Sequence, residues 1–195
     1  RYGENPRRTV RQIEGLRGEI EGGLSRAELQ GRLPAGAARN AIDAALWDLE
    51  AKRSAKPVWK LAGLARPAPL ITAYTLSLDT PARMAAAAAA AHRPLLKLKL
   101  GGKDDVGRVQ AVRTSAPDSR LIVDANEAWT PEIFATAAPA MAALGVELIE
   151  QPLPAGEDAA LAALERPVPV CADESCQGEA SLDGLAGRYE FVNVK

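Results

Sequence analysis

Histidine is all but missing from these 195 residues, where His92 stands alone. Without a second imidazole, a histidine-rich metal site cannot be assembled within the chain. Cysteine is nearly as scarce. Cys171 and Cys176 form no CxxC and have no histidine cluster beside them, so buried thiols are expected rather than a disulfide or a zinc site. An excess of one charge is lacking too: 24 Lys and Arg against 25 Asp and Glu leave a net charge of −1. That balance gives no basic footprint for nucleic acid or an anionic membrane, and small molecules are the better partners. No apolar run reaches the length of a bilayer, and Arg1-Tyr2-Gly3-Glu4-Asn5-Pro6 lacks the charged-then-apolar order of a signal peptide. A cytoplasmic protein is the expectation, with a homo-oligomer left open.

What is present begins with helical patterns. Residues 7–20 carry Val10, Ile13, Leu16 and Ile20 near helical spacing, which predicts one amphipathic helix, capped by Thr9 and ending towards Gly22-Gly23. Ser25 followed by Glu28 reads as a capping box for a short helix. A longer helix is predicted from about Ala35 to Ser54, with Ala38, Ile42, Ala45, Leu46 and Leu49 on one stripe. Trp47 and Trp59 read as packing residues. The proline-containing segment Leu64-Ala65-Arg66-Pro67-Ala68-Pro69 then marks a domain boundary, giving residues 1–65 and 66–195 as the two domains.

Beyond the boundary, apolar runs alternate with helical ones. Strands are predicted over 70–76, 95–99, 120–124, 146–150, 168–172 and 190–195, with helices over 80–92, 104–115, 131–143, 157–165 and 178–186. His92 closes an alanine run near one helix C-terminus, a place where it complements the dipole. Lys97 and Lys99 alternate with leucines, so one face of their strand is charged. Alone, that pattern equally suits an exposed edge strand.

The strand ends are more telling. Thr75, Lys99, Asp124, Glu150, Asp173 and Lys195 follow one another at steps of 24, 25, 26, 23 and 22 residues, the length of one strand, one helix and two loops. The reading is an α/β protein of (β/α)8-barrel type, here with about six strands, whose ends open into one C-terminal mouth. Six strands would leave two unpaired edges. The 195 residues are therefore expected to be the retained portion of a longer polypeptide, or a truncated product inactive alone.

Asp124, Glu150 and Asp173 are hard oxygen donors suited to Mg2+, with Mn2+ as a substitute. Any one acid could merely cap a helix or face solvent; three in phase with two lysines point to a site. A dication held there stabilises negative charge when a C–H beside a carboxylate loses its proton. A lysine can act as the base only if its pKa falls from about 10.4, and Lys97 and the metal supply positive charge of the right sign beside Lys99. Two bases on opposite faces of a substrate mean racemisation or epimerisation. One base with a leaving group means elimination or cycloisomerisation.

Lys97-Leu98-Lys99, Asp124-Ala125-Asn126, Glu150-Gln151-Pro152, Ala172-Asp173-Glu174-Ser175 and Asn193-Val194-Lys195 together resemble the enolase superfamily, muconate-lactonising subgroup. Arg1-Tyr2-Gly3-Glu4, Thr72-Ala73-Tyr74-Thr75 and the run from Glu150 to Asp158 resemble its dipeptide epimerases most. The resemblance implies an epimerase that moves the proton α to a carboxylate through an enediolate, on L-Ala-D/L-Glu or a similar dipeptide. It implies Lys99 and Lys195 as acid/bases, Lys97 as the support of Lys99 and a contact to the substrate carboxylate, and Asp124, Glu150 and Asp173 as Mg2+ ligands. Thr75 and Asn126 would line the substrate site, and residues 1–65 would be the helical part of an α+β capping domain. The family's first capping strands and specificity loop would precede Arg1; its last barrel strands and a dipeptide-binding Asp-x-Asp element would follow Lys195. Muconate cycloisomerisation, o-succinylbenzoate synthesis and a non-catalytic barrel fragment are the competing expectations.

Overall fold

The computed structural model describes residues 4–194, in two compact units, Arg1–Pro69 and Leu70–Lys195. The first is helical. Its opening helix α1 (Pro6–Gly15) starts at Asn5, whose side chain accepts the Arg8 amide at 2.9 Å, and not at the expected Thr9. Pro6 sits in the first turn, where a missing N–H costs nothing. The single helix expected over 7–20 is two, because Leu16 (φ −99°, ψ 3°) leaves helical geometry before α2 (Arg17–Glu21). Gly15 and Gly18 weaken the helix at that point, and the break lets Leu16 join Leu24, Leu29 and Ile42 in a small core. The capping box forms at the head of α3 (Arg26–Arg32), with Ser25 and Glu28 exchanging bonds of 3.2 and 2.9 Å. In α4 (Ala37–Ser54) Ala38 and Ile42 are buried, whereas Ala45 and Leu49 of the predicted stripe are exposed. Arg26 stacks on Trp47, 3.3 Å from the ring centroid. A single turn, α5 (Val58–Leu61), follows.

The second unit is built on one sheet of six parallel strands in chain order: β1 (Tyr74–Leu76), β2 (Leu95–Lys99), β3 (Arg120–Asp124), β4 (Val146–Glu150), β5 (Val170–Ala172) and β6 (Phe191–Val192). Its edges are β1 and β6, so the sheet is open. Between strands run α6 (Pro81–Ala91), α7 (Asp105–Ser115) and α8 (Pro131–Ala143), then two 3-10 segments, Asp158–Ala162 and Glu179–Gly184. Thr80 and Thr130 cap α6 and α8, each just before a proline. The first 3-10 segment replaces the helix expected over 157–165. Asp158 and Leu161, both buried, stand three residues apart and so share one side at three residues per turn.

The predicted outer strands are longer than the observed ones. Residues 70–76 contract to the three that pair with β2, from Tyr74 opposite Leu96 to Leu76 opposite Leu98. The strand expected over 168–172 begins at Val170, since Pro169 has no N–H to give the ladder. Among the described residues of the stretch expected over 190–195, only Phe191 and Val192 pair.

In β2 the predicted alternation holds, with Leu96 and Leu98 buried and Lys97 and Lys99 half-buried on the other face. Leu121, Val123, Ile149 and Val170 continue the buried row and pack with Met84, Val109, Val112, Phe134 and Met141 from the helices. Each such side chain contributes about 1.5–3 kcal/mol when fully buried, so this layer fixes the sheet on which the polar face rests. The β2–β3 ladder is unbroken from Leu95–Arg120 to Lys99–Asp124. The β3–β4 ladder shifts once, with Leu121 opposite Val146 but Ile122 opposite Leu148, leaving Glu147 as an extra residue. Among the described residues, no helix is long and apolar enough to cross a membrane.

Candidate active site

Residues paired across a parallel ladder point the same way. Lys99 pairs with Asp124, Asp124 with Glu150 and Glu150 with Cys171, so the register alone places a lysine and two acids side by side. Asp173 lies two residues past Cys171, and Asn193 two past Phe191, the partner of Cys171; both keep the same parity. Thr75, paired with Lys97, is exposed on the edge strand β1. Lys195 lies outside the described residues.

The side chains close into a chain of contacts. Lys97 Nζ lies 3.0 Å from Asp124 Oδ2 and 2.6 Å from Glu150 Oε2. Lys99 Nζ reaches the same Asp124 oxygen at 2.5 Å and donates to Asn126 Oδ1 at 2.8 Å. Asn193 Nδ2 donates to Glu150 Oε1 at 3.0 Å and to Asp173 Oδ1 at 2.9 Å, joining the third acid to the other two. Asn126 turns its amide to Glu174 Oε1 at 3.2 Å while its backbone N–H meets Asp124 Oδ1 at 3.0 Å. It can do so because Asn126 (φ 45°) and Glu127 (φ 68°) are left-handed, a bend that folds the Asn126 side chain back over the strand end.

Charge is packed tightly here. Burial raises the Glu150 carboxyl above its ordinary range, the Lys97 hydrogen bond pulls against that, and the negative charges of Asp124 and Asp173 push it further up. Burial works to lower the Lys97 ammonium, but its bonds to Glu150 and Asp124 prevail and hold it raised. Lys97 is thus a firm cation whose charge is already met by two carboxylates, and both lysines share one oxygen of Asp124. The Cys171 thiol, inside this field, is pushed up to about 12, first by burial and then by Glu150 and Asp173.

Among the described residues, no His, Cys, Asp and Glu side chains gather as a group of three or more able to hold a metal ion. Lys97 and Asn193 lie between the acids instead. The donor types fit a hard dication: carboxylate oxygens only, at the ends of three successive strands, with Glu150 raised by burial first and then by the charges of Asp124 and Asp173.

Sequence reasoning singled out the charged residues, with Thr75 and Asn126 beside them, and gave no role to Asn193. Asn193, which ties Glu150 to Asp173, carries no charge to flag it; its parity with Asp173 was the available signal. Asp105, in the first turn of α7, is buried. It accepts the Gly101 and Gly102 amides at 3.0 and 2.7 Å and Trp129 Nε1 at 2.8 Å, pinning the loop that follows Lys99. Gly102 (φ 89°) leaves no room there, since a Cβ would lie 3.0 Å from the Ala128 carbonyl oxygen.

Six parallel strands in chain order, with helices between them, are the pattern of a (β/α) barrel wall. Residues 80–190 match the family described as enolase C-terminal domain-like, and residues 11–63 match the mandelate racemase/muconate lactonizing enzyme N-terminal domain. The chain belongs to the enolase superfamily. It is 48% identical over 198 aligned residues to the L-Ala-D/L-Glu epimerase of Escherichia coli, covering 100% of this chain and 62% of that protein. It is 45% identical, with the same coverages, to an N-acetyl-D-glutamate racemase of a Pseudoalteromonas species. A dipeptide epimerase from Enterococcus faecalis, solved in complex with Mg and the dipeptide L-Leu-L-Tyr, superposes with a TM-score of 0.87 at 31% identity, over 99% of this chain and 59% of that one. The chain thus spans about three fifths of the length of these relatives.

Proposed function

We propose that this chain carries the site of a Mg2+-dependent epimerase that removes and returns the proton α to a carboxylate, acting on L-Ala-D/L-Glu or a similar dipeptide. Residues 1–65 serve as the helical part of the capping domain and 66–195 as barrel wall. The observation that carries this reading is the sharing of one Asp124 oxygen by Lys97 and Lys99 at the end of a register row containing Glu150. Cationic groups and acids are crowded there at the strand ends, the place where such a fold keeps its chemistry.

Asp124, Glu150 and Asp173 would hold Mg2+, or Mn2+ in its place. When bound, the ion supplies positive charge against the negative charge that develops on a substrate carboxylate as its α-proton leaves. Lys97, held cationic by Glu150 and Asp124, binds the substrate carboxylate. Lys99, once released from Asp124, takes the α-proton on one face, and Asn126, 2.8 Å from its Nζ, fixes the direction from which the amine approaches. Lys195 returns a proton on the other face. Thr75 borders the substrate site from β1.

The test is proton exchange. The intact protein, incubated with Mg2+ and L-Ala-L-Glu in deuterated water, is expected to lose the α-proton signal of the Glu residue by NMR and to accumulate the other epimer. N-acetyl-D-glutamate run alongside separates a dipeptide site from one that accepts an acylated amino acid. Exchange without accumulation of an epimer favours cycloisomerase-type chemistry, and metal binding with no exchange from any substrate favours a non-catalytic fragment.

A further inference from the structure

A second group of buried polar residues lies beside the charged cluster and has no part in the chemistry above. At its centre is Asp158, 1% exposed. Its Oδ2 accepts Ser175 Oγ at 2.6 Å and Tyr189 Oη at 2.5 Å, and its Oδ1 faces the Arg188 guanidinium. One step further, Gln151 Nε2 donates to Ser175 Oγ at 2.8 Å, to Tyr189 Oη at 2.9 Å and to the Leu153 carbonyl at 2.9 Å. Its Oε1 accepts the backbone N–H of Asp173 at 2.8 Å and of Ser175 at 3.0 Å. Gln151 is fully buried and left-handed (φ 32°), which turns its amide sideways from the end of β4 into this network.

The short contacts to Asp158 favour one direction, which leaves no proton for the 3.3 Å contact between Ser175 Oγ and Tyr189 Oη. An ionised carboxylate accepts and never donates, so the single protons of Ser175 Oγ and Tyr189 Oη both go to Asp158. Each hydroxyl then offers only lone pairs to Gln151, which must present its NH2 to them. The Gln151 carbonyl faces the Asp173 and Ser175 amides, the same orientation that the Leu153 carbonyl and those two N–H groups favour.

We propose that Asp158 fixes the direction of both hydroxyls and so locks the orientation in which Gln151 holds the backbone of Asp173, making Asp158, Ser175, Tyr189 and Gln151 positioning residues for that acid. The inference rests on Asp173 being a metal ligand as proposed above, although the clamp on its backbone can be measured without any metal.

In the intact protein, S175A/Y189F removes both hydroxyl acceptors and leaves Gln151 Nε2 only the Leu153 carbonyl, while Asp158 stays paired with Arg188. Amide hydrogen exchange at Asp173 and Ser175 is expected to accelerate, and Mn2+ affinity, read by calorimetry, to fall by about 10- to 100-fold, as for other outer partners of metal ligands, with the thermal transition still cooperative. D158N is expected to do the same, because its NH2 can donate to the hydroxyls and reverse the polarity. Should D158N unfold, the double variant decides alone. Wild-type exchange rates at both amides in S175A/Y189F overturn the proposal. Unchanged Mn2+ affinity there overturns it as well if D173N, measured in parallel, binds Mn2+ poorly. If D173N itself binds Mn2+ normally, the assignment of Asp173 as a ligand has failed instead, and the exchange rates still judge the clamp.

Discussion

Two buried acid clusters lie side by side in the sheet unit, and they are held in opposite ways. Around Asp124 and Glu150 there is more charge than the geometry settles: two ammonium groups on one oxygen, and a carboxyl raised by burial and by its acidic neighbours. Around Asp158 every partner points one way, with two hydroxyls on one oxygen and a guanidinium on the other. Burial and the Asp158 bond also raise the Tyr189 phenol, so it stays a donor. A satisfied network of this kind rigidifies its surroundings, whereas crowded like charges are a state of tension that a ligand can relieve. The contrast separates a group built to react from a group built to hold.

The largest effect that would test this contrast is catalytic. Lys99→Ala is expected to lower α-proton exchange from one epimer by about 10²–10⁴-fold, the usual range for a general acid/base. Some exchange from the other epimer should survive, and the melting temperature should stay near wild type. Equal loss from both epimers would make Lys99 an electrostatic group.

Next comes stability at the other cluster. Arg188→Met leaves buried Asp158 without its cation and is expected to cost about 3 kcal/mol in urea unfolding, as breaking a buried pair does; a change under about 1 kcal/mol would remove the distinction between the clusters. Glu150→Gln sharpens it from the other side. Removing one of three neighbouring negative charges should change apo-protein stability by no more than about 1 kcal/mol, in either direction, while abolishing tight metal binding.

The smallest effect serves as a control away from both clusters. Glu147 is held below its ordinary range by its hydrogen bond to Arg120, against a slight opposing effect of burial, and both side chains are substantially exposed. Its folded value lies below the unfolded one, so the pair's stabilisation is present above the unfolded pKa and lost as pH falls through the folded one. After solvent screening it amounts to about 0.5 kcal/mol at most. Urea midpoints of wild type and Glu147→Gln should differ slightly at pH 7 and coincide well below pH 4.

Sequence alone made the central strands legible because β2, β3 and β4 each combine a sharp apolar pattern with a turn signal, and their bounds agree with the observed ones. At the outer strands, pairing overrides propensity. Leu70 and Ile71 are apolar enough for a strand, yet the β1 ladder starts only at Tyr74. The split at Leu16 was hidden because helical spacing continues across it; the glycines weaken the helix there, and the packing of that leucine into the small core completes the break. In the site, charge and spacing revealed which acids and lysines share a face. They could not reveal that Lys97 would be neutralised by its neighbours, because that depends on distances of 2.6 and 3.0 Å. Nor could they reveal Gln151, whose importance lies in the direction of hydrogen bonds; for Asn193 only its parity with Asp173 gave a signal.

The extra residue Glu147 gives the polar face an unequal tolerance of length. In β4 a one-residue deletion at that position would restore simple alternation and leave Glu150 opposite Asp124, because the ladder already accommodates one residue too many. The β2–β3 ladder has no such slack. A deletion inside either of those strands would reverse the facing of everything beyond it and carry Lys99 or Asp124 to the apolar side. Chain length is therefore adjustable under one acid of the site and frozen under its lysines.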